Sequence, residues 1–134
     1  MNKIRKEGII MNYLLVSPNF PTSQENFAKK LVEKGVKVLG IGSESYDNLS
    51  DDLKNTLTEY YRVNDLENYE EVLRGVAFLI YKHGVIDRVE SNNEHWLTLD
   101  SIIREQFNIP GVKPKNLDFT KYKSKMKERF IKAK

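Results

Sequence analysis

Short apolar runs alternate with amphipathic helical patterns along most of this chain, and this alternation limits its fold more than any other feature. Four apolar runs are too short for helices and end at proline, glycine or polar residues, so they predict buried strands. They cover residues 13–17, 36–41, 60–63 and 85–89. Strands that alternate with helices in this way predict a parallel sheet with helices on both faces.

Capping signals mark the two helices of the first half. Thr22 and Glu25 have the spacing of a capping box, in which the hydroxyl and the carboxylate satisfy free backbone N–H groups. Gly35 is placed to end the helix that follows. Ser50 or Asp51 is expected to cap a short helix after the second strand.

Two longer helices are predicted after the third and fourth strands. The first starts near Asn68 and ends before the fourth strand. The second starts near Asn93, where Ser91 and Glu94 form another capping-box pattern, and it stops before Pro110.

Right-handed crossovers leave few ways to order four parallel strands. The simplest order is 3-2-1-4, a Rossmann-like open sheet whose winding direction reverses between strands one and four. Ligands of such sheets bind at the carboxyl ends of the strands that flank the reversal. The polar turns after these two strands, residues 17–22 and 90–94, are therefore expected to face each other across one crevice.

The first turn offers Asn19, Thr22 and Ser23 as candidate substrate-binding residues. The helix N-terminus beside them carries free N–H groups and a partial positive charge, which suit a carboxylate or phosphate. Gln24 and Asn26 could add side-chain donors. The alternative is that Thr22 and Glu25 only cap the helix.

The second turn is the densest polar cluster of the chain, and all five of its residues are candidate substrate-binding residues. They are Glu90, Ser91, Asn92, Asn93 and Glu94. Two carboxylates, a hydroxyl and two amides suit an ammonium group, hydroxyl groups or a hydrated Mg²⁺ ion. Because capping already accounts for Ser91 and Glu94, the sharper candidates are Glu90, Asn92 and Asn93.

Several other functions are excluded or disfavoured. The first turn lacks the glycine spacing of dinucleotide and P-loop sites, and its two prolines remove N–H donors that would hold a pyrophosphate. The absence of cysteine excludes disulfides and thiolate zinc sites and is typical of a reducing compartment. Without a long apolar run or a secretory signal, we predict a cytoplasmic protein with no membrane partner.

The positive charge is concentrated near the C-terminus. Residues 113–134 hold nine Lys or Arg and two acids, a balance of +7, so the overall charge of +3 leaves −4 for residues 1–112. A basic tail of this kind could bind nucleic acid through its phosphates. It lacks the interleaved aromatic residues of a single-strand binder, so a solvated helix face is the preferred interpretation and a nucleic-acid partner is not expected.

Five short motifs occur in order along the chain, namely Ser-Pro-Asn-Phe-Pro, Val-Leu-Gly-Ile-Gly, Thr-Glu-Tyr-Tyr-Arg-Val, Glu-Ser-Asn-Asn-Glu-His-Trp-Leu and Phe-Asn-Ile-Pro-Gly. In this order and spacing the chain resembles, over residues 12–134, the N-terminal (preATP-grasp) domain of ATP-grasp enzymes, in particular proteins similar to the carbamoyl-phosphate synthase large chain and to biotin carboxylase. Residues 122–127 resemble the segment that opens the ATP-grasp domain, with Tyr122 where that pattern has Asp.

The resemblance implies a multi-domain ligase in which ATP phosphorylates a carboxylate substrate and an amine or another nucleophile then displaces the phosphate. It implies a preATP-grasp domain over residues 12–117 and the first helix of a truncated ATP-grasp domain over residues 118–134, with residues 1–11 expected as a flexible extension. Lys123 matches the family's lysine that approaches the phosphates of ATP. ATP and Mg²⁺ are expected in the full-length protein, held by the missing C-terminal ATP-grasp domain, and this fragment alone is expected to be inactive and to hold neither.

A stand-alone small-ligand-binding or regulatory α/β module is the alternative interpretation. Such a module would use the same crevice without chemistry. A domain that docks a partner protein through an exposed apolar face is a further alternative.

Overall fold

Four parallel strands form one open sheet in the computed structural model, which describes residues 11–113. The strands are β1 (Asn12–Val16), β2 (Lys37–Gly42), β3 (Glu59–Arg62) and β4 (Arg88–Glu90). Their order across the sheet is β3-β2-β1-β4, and each neighbouring pair is parallel. The predicted Rossmann-like sheet and its strand order are confirmed.

Helices cover both faces of this sheet. One face packs against α1 (Ser23–Glu33) and α2 (Asp51–Thr56), and the other packs against α3 (Tyr69–His83) and α4 (Leu97–Phe107). Single turns of 3-10 helix occur at Tyr46–Asn48 and Glu94–Trp96.

The central strands are apolar on both sides because both sides are covered. Leu15 and Val38 are fully buried against α1 and α2, whereas Leu14 and Leu39 are fully buried against α3 and α4. Successive strand residues point to opposite faces, so a continuous apolar run supplies two cores at once. This packing fixes the carboxyl ends of β1 and β4 side by side.

The capping box predicted at Thr22 is wrong. The backbone of Thr22 is already helical, with φ −60° and ψ −23°, and its side chain makes no capping hydrogen bond. A capping side chain ordinarily needs an extended backbone at that position. The Glu25 carboxylate does not reach back to the helix start but accepts a hydrogen bond of 2.6 Å from the hydroxyl of Ser50.

The second predicted capping box is also wrong. Asn93 has the extended backbone of a capping residue, and its side chain accepts a 3.0 Å hydrogen bond from the backbone N–H of His95. The Ser91 hydroxyl is drawn inward to Asp100 instead. A 3-10 turn therefore precedes α4, which starts at Leu97.

Other predicted helix ends are confirmed. Ser50 accepts a 3.1 Å hydrogen bond from the N–H of Leu53 at the start of α2. Asn68 accepts one of 3.2 Å from the N–H of Glu71 at the start of α3. Gly35, after α1, has φ 81°, a conformation that glycine adopts without steric cost.

The fourth strand is shorter than its apolar run suggested. The run starts at Val85, but the strand begins only at Arg88. The side-chain amide of Asn12 donates to the carbonyls of His83 and Val85, both at 2.9 Å. These carbonyls are therefore satisfied by a side chain rather than by a strand ladder, which explains the later start.

We expect Ser50→Ala to lower the free energy of unfolding by about 1 kcal/mol, because the substitution removes the cap of α2. Thr22→Ala is the matched control and should change it by less than about 0.5 kcal/mol, because Thr22 makes no capping bond. Urea unfolding followed by circular dichroism measures both values. A Thr22→Ala loss as large as that of Ser50→Ala would contradict the helix start described above.

The predictions for the extension before Met11 and for the basic helix from Asp118 fall outside the residues that the structure describes. The same holds for Lys123. No helix within residues 11–113 is both long and apolar enough to cross a membrane.

Candidate ligand-binding site

Two polar turns leave the same edge of the sheet. One follows β1 and the other follows β4, and these strands are parallel neighbours. Each turn contains a non-glycine residue in the left-handed region, Ser17 with φ 54° and Asn92 with φ 55°. Such residues are uncommon and are worth attention as functional candidates. The two turns therefore lie next to each other, as the strand order predicts.

The side chain of Gln24 joins the two turns. Gln24 lies in the first turn of α1 and is fully buried. Its Nε2 lies 2.6 Å from the carbonyl oxygen of Ser91, and 3.3 and 3.4 Å from those of Val16 and Ser17. Its Oε1 accepts a 2.8 Å hydrogen bond from Nδ2 of Asn92. One buried amide thus fixes the β4 turn against the end of β1.

Ser91 holds the β4 turn from inside the protein. It is fully buried, and its hydroxyl lies 2.6 Å from Oδ2 of Asp100, to which the backbone N–H of Ser91 also donates at 3.2 Å. The hydroxyl oxygen also lies 3.3 Å from the backbone N–H of Asn93. The structure therefore places Ser91 behind the turn, where it sets the turn's shape.

Asp100 is a buried carboxyl group beneath the β4 turn. Burial raises its pKa from the ordinary 3.8 to about 6. The hydrogen bond from Ser91 and the positive charge of Arg104 oppose this shift, whereas the negative charge of Glu90 adds to it. The charge of Asp100 therefore changes in the mildly acidic range.

Arg104 anchors Glu90 at the start of the β4 turn. Its Nη2 donates to the carbonyl oxygen of Val89 at 2.6 Å and lies 3.2 Å from Oε1 of Glu90. Its Nη1 donates to the carbonyl oxygen of Val112 at 3.0 Å. The Glu90 side chain keeps 39% of its surface exposed, whereas that of Arg104 keeps 6%. Glu90 is thus a held carboxylate that solvent, and hence a small ligand, can reach.

The remaining predicted site residues are spread between solvent and the turn itself. Thr22 and Ser23 are exposed at the start of α1, and Asn19 is half-buried within the first turn. On the other turn Asn92 and Glu94 are exposed. Solvent therefore reaches four of the predicted residues most freely: Thr22, Ser23, Asn92 and Glu94. The Glu90 side chain is also partly exposed.

Three residues that shape this site carry no clear signal in the sequence. From the sequence, Gln24 is expected to be an added donor to a ligand, but its side chain is buried. Asp100 and Arg104 read as polar positions of an amphipathic helix, although both are at least 95% buried. Their spacing of four residues on one helix face is the signal that was present, and it does not indicate whether the pair faces solvent or the sheet.

A second cleft, of about 290 Å³, lies at the start of α3. It is lined by Asn64, Asp65, Asn68, Glu70, Glu71 and Arg74. The carboxylate of Glu71 accepts hydrogen bonds from the backbone N–H groups of Asn64 and Asp65, which makes it an anchor of the loop. Within residues 11–113 no group of three or more His, Cys, Asp or Glu side chains is arranged to hold a metal ion.

No protein-family model and no curated protein matches this chain. Among solved structures it is similar to an L-amino acid ligase from Bacillus licheniformis, with a TM-score of 0.54 and 18% identity over 77% of this chain and 25% of the ligase. A dehydrogenase is matched with a TM-score of 0.49 and 21% identity over 59% of this chain and 30% of the dehydrogenase. The chain thus has a fold that also occurs within a ligase, and it spans about a quarter of that ligase's length.

Proposed function

We propose that residues 12–117 form the N-terminal, substrate-side domain of an ATP-dependent ligase of the ATP-grasp type, similar to the carbamoyl-phosphate synthase large chain. In the proposed reaction ATP phosphorylates a small carboxylate, and an amine or another nucleophile displaces phosphate from the acylphosphate. The observation that carries the proposal is the bridge from Gln24 to Ser91 and Asn92, which joins the two turns at the reversal of the sheet, the place where open parallel sheets bind ligands. The fold shared with an L-amino acid ligase supports it.

Amino acids are the first ligands to consider for this crevice. The start of α1 offers partial positive charge for a carboxylate, and the exposed carboxylate of Glu90 suits an ammonium group. The separation of these two kinds of charge across the crevice suits a zwitterion. An amino-acid ligand is also supported by the similar solved structure, which is that of an L-amino acid ligase.

Nucleotide and metal ions are assigned to another part of the proposed enzyme. In the proposal an ATP-grasp domain holds ATP and Mg²⁺, residues 118–134 form its first helix, and Lys123 contacts the phosphates. Residues 11–113 alone are therefore expected to bind substrate without turning it over. Hydrolysis of ATP by the 134-residue chain above a buffer control, abolished by Lys123→Ala, would contradict this division of labour.

The proposal is tested by titrating the ¹⁵N-labelled chain with each of the twenty L-amino acids and recording amide chemical shifts. At least one amino acid should shift residues 17–26 and 90–95. Glu90→Gln should weaken its binding at least about tenfold, the equivalent of 1.4 kcal/mol, because the variant keeps the shape of Glu90 and loses its charge. Glu105→Gln, on the exposed side of α4, is the matched control.

Three outcomes have distinct meanings. Shifts at both turns that depend on Glu90 support the substrate-side domain. Equal binding by the wild type, Glu90→Gln and Glu105→Gln would mean that the ligand does not contact Glu90. No shift with any amino acid would contradict the proposed substrate class. A stand-alone binding or regulatory module would use the same crevice. The protein encoded by the complete reading frame, supplied with the bound amino acid, an amine nucleophile, ATP and Mg²⁺, separates the two, since only the ligase then forms ADP.

A further inference from the structure

The exposed side chain of Asn92 is oriented by a residue inside the protein. Its Nδ2 donates to Oε1 of Gln24 at 2.8 Å. An amide group has its oxygen and nitrogen on opposite sides, so the contact through Nδ2 turns Oδ1 away from Gln24. Asn92 is exposed, and its oxygen is therefore the atom left to meet a ligand.

Gln24 cannot exchange its own oxygen and nitrogen without loss. Its Nε2 lies within 3.4 Å of three backbone carbonyl oxygens, the closest being that of Ser91 at 2.6 Å. A flipped amide would place Oε1 against these oxygens, and a buried acceptor facing acceptors costs free energy. The carbonyl oxygens thus fix the direction of Gln24, and Gln24 fixes that of Asn92.

We propose that Gln24 is a positioning residue that sets the polarity of the crevice, so that Oδ1 of Asn92 accepts a hydrogen bond from an N–H or O–H group of the substrate. The inference rests on the proposed function and specifies it: the substrate presents a donor, such as the ammonium group of an amino acid, to the β4 turn. A substrate group that can only accept hydrogen bonds would face Oδ1 of Asn92 and is disfavoured. Two amides in series also polarise each other, which strengthens the outer acceptor.

A purely structural role for Asn92 gives a different expectation. Its φ of 55° favours Asn or Gly over other residues, so Asn92 could serve only to form the turn. Asn92→Gly keeps that backbone conformation and removes the amide. If only the turn matters, the glycine variant keeps the ligand preference of the wild type.

The test measures the preference rather than the affinity alone. Wild-type chain is titrated with the amino acid that binds most tightly and with the matching carboxylic acid in which hydrogen replaces the amino group. We expect the deaminated acid to bind at least about tenfold more weakly. In Asn92→Gly and in Gln24→Met this advantage should shrink by at least about threefold, the effect of one lost hydrogen bond, since Glu90 still favours the ammonium group, while binding of the deaminated acid changes less than that.

Two variants and one control keep the test decisive. Gln24→Met removes the buried amide at similar volume. If Gln24→Met does not fold, the result for Asn92→Gly decides between the two roles. Gln106→Ala, on the exposed last turn of α4, is the control. Folded variants with the wild-type ratio of affinities would overturn the inference and leave the proposed function standing. A wild-type chain that binds no amino acid would instead contradict the proposed substrate class, on which the inference rests.

Discussion

Replacement of Arg104 by methionine should lower the free energy of unfolding by about 3 kcal/mol. The side chain of Arg104 is 6% exposed and lies 3.2 Å from Glu90, and its guanidinium donates to the carbonyl oxygens of Val89 and Val112. Methionine fills much of the space but leaves the buried carbonyl of Val89 and the partly buried carbonyl of Val112 without donors, and Glu90 without its cation. A buried acceptor left without a donor costs about 1 to 3 kcal/mol, and more where a charged group also loses its partner.

The loss should be local as well as global. The segment that follows α4 folds around Arg104: a Cβ atom on Gly111 would lie 2.7 Å from its Nε, and Gly111 has φ 130°. Without the guanidinium this segment has no anchor at Val112. We therefore expect the amides of residues 109–112 to exchange with deuterium faster in Arg104→Met, even under conditions where the fold persists.

Urea unfolding and hydrogen exchange measure the two effects of Arg104→Met. The matched control is Arg74→Met, because Arg74 forms an exposed pair with Glu70 four residues earlier, at 2.7 Å and with 76% of its side chain in solvent. Such pairs contribute about 0.5 kcal/mol or less. Equal losses in the two variants would show that burial of Arg104 adds nothing to its contribution.

The sheet could be predicted because its signal is local and repeated. Each strand is a short apolar run, and the right-handed crossover then leaves few orders. The positions of the two turns followed from that order without knowledge of any side-chain contact. Only the beginning of β4 was misplaced, since the competing hydrogen bonds to His83 and Val85 come from Asn12, more than seventy residues away.

The capping boxes could not be judged from the sequence alone. Thr22 and Ser91 have suitable side chains at suitable spacings, but each spacing describes only what a helix start can do locally. Tertiary hydrogen bonds replace both capping boxes. The hydroxyl of Ser50 donates to the carboxylate of Glu25, and the hydroxyl of Ser91 donates to Asp100. Asn93, whose backbone is extended, caps the turn before α4 instead.

The candidate site was predicted as a place but not as a division of roles. Topology brought the two turns together, whereas the buried amide that joins them is visible only once α1 and β4 are placed. Gln24, at the start of a helix, is indistinguishable in sequence from a solvent-exposed polar residue. The side chains of Glu90 and Asn92, which solvent reaches, are held by the buried residues Arg104 and Gln24.

Asp100 should make the protein more stable at mildly acidic pH than at neutral pH. Burial raises its pKa to about 6 from 3.8, so the folded protein binds this proton more tightly than the unfolded chain. The resulting stability is fully present below pH 3.8 and is lost as pH rises through 6. Between pH 4.5 and 7.5 these two values correspond to a loss of about 2 kcal/mol.

Asp100→Asn isolates this contribution because asparagine binds no proton in this range. The difference in unfolding free energy between wild type and Asp100→Asn, measured by urea denaturation at a series of pH values, should fall by about 2 kcal/mol from pH 4.5 to 7.5. Glu59 acts in the opposite sense: its hydrogen bond with His83 lowers its pKa from 4.5, so its stabilisation is lost only at lower pH. The unfolding free energy of Glu59→Gln should therefore keep the pH dependence of the wild type between pH 4.5 and 7.5. A difference that stays constant across this range would mean that Asp100 is already ionised in the folded protein at pH 4.5, and that the bonds from Ser91 and the charge of Arg104 outweigh its burial.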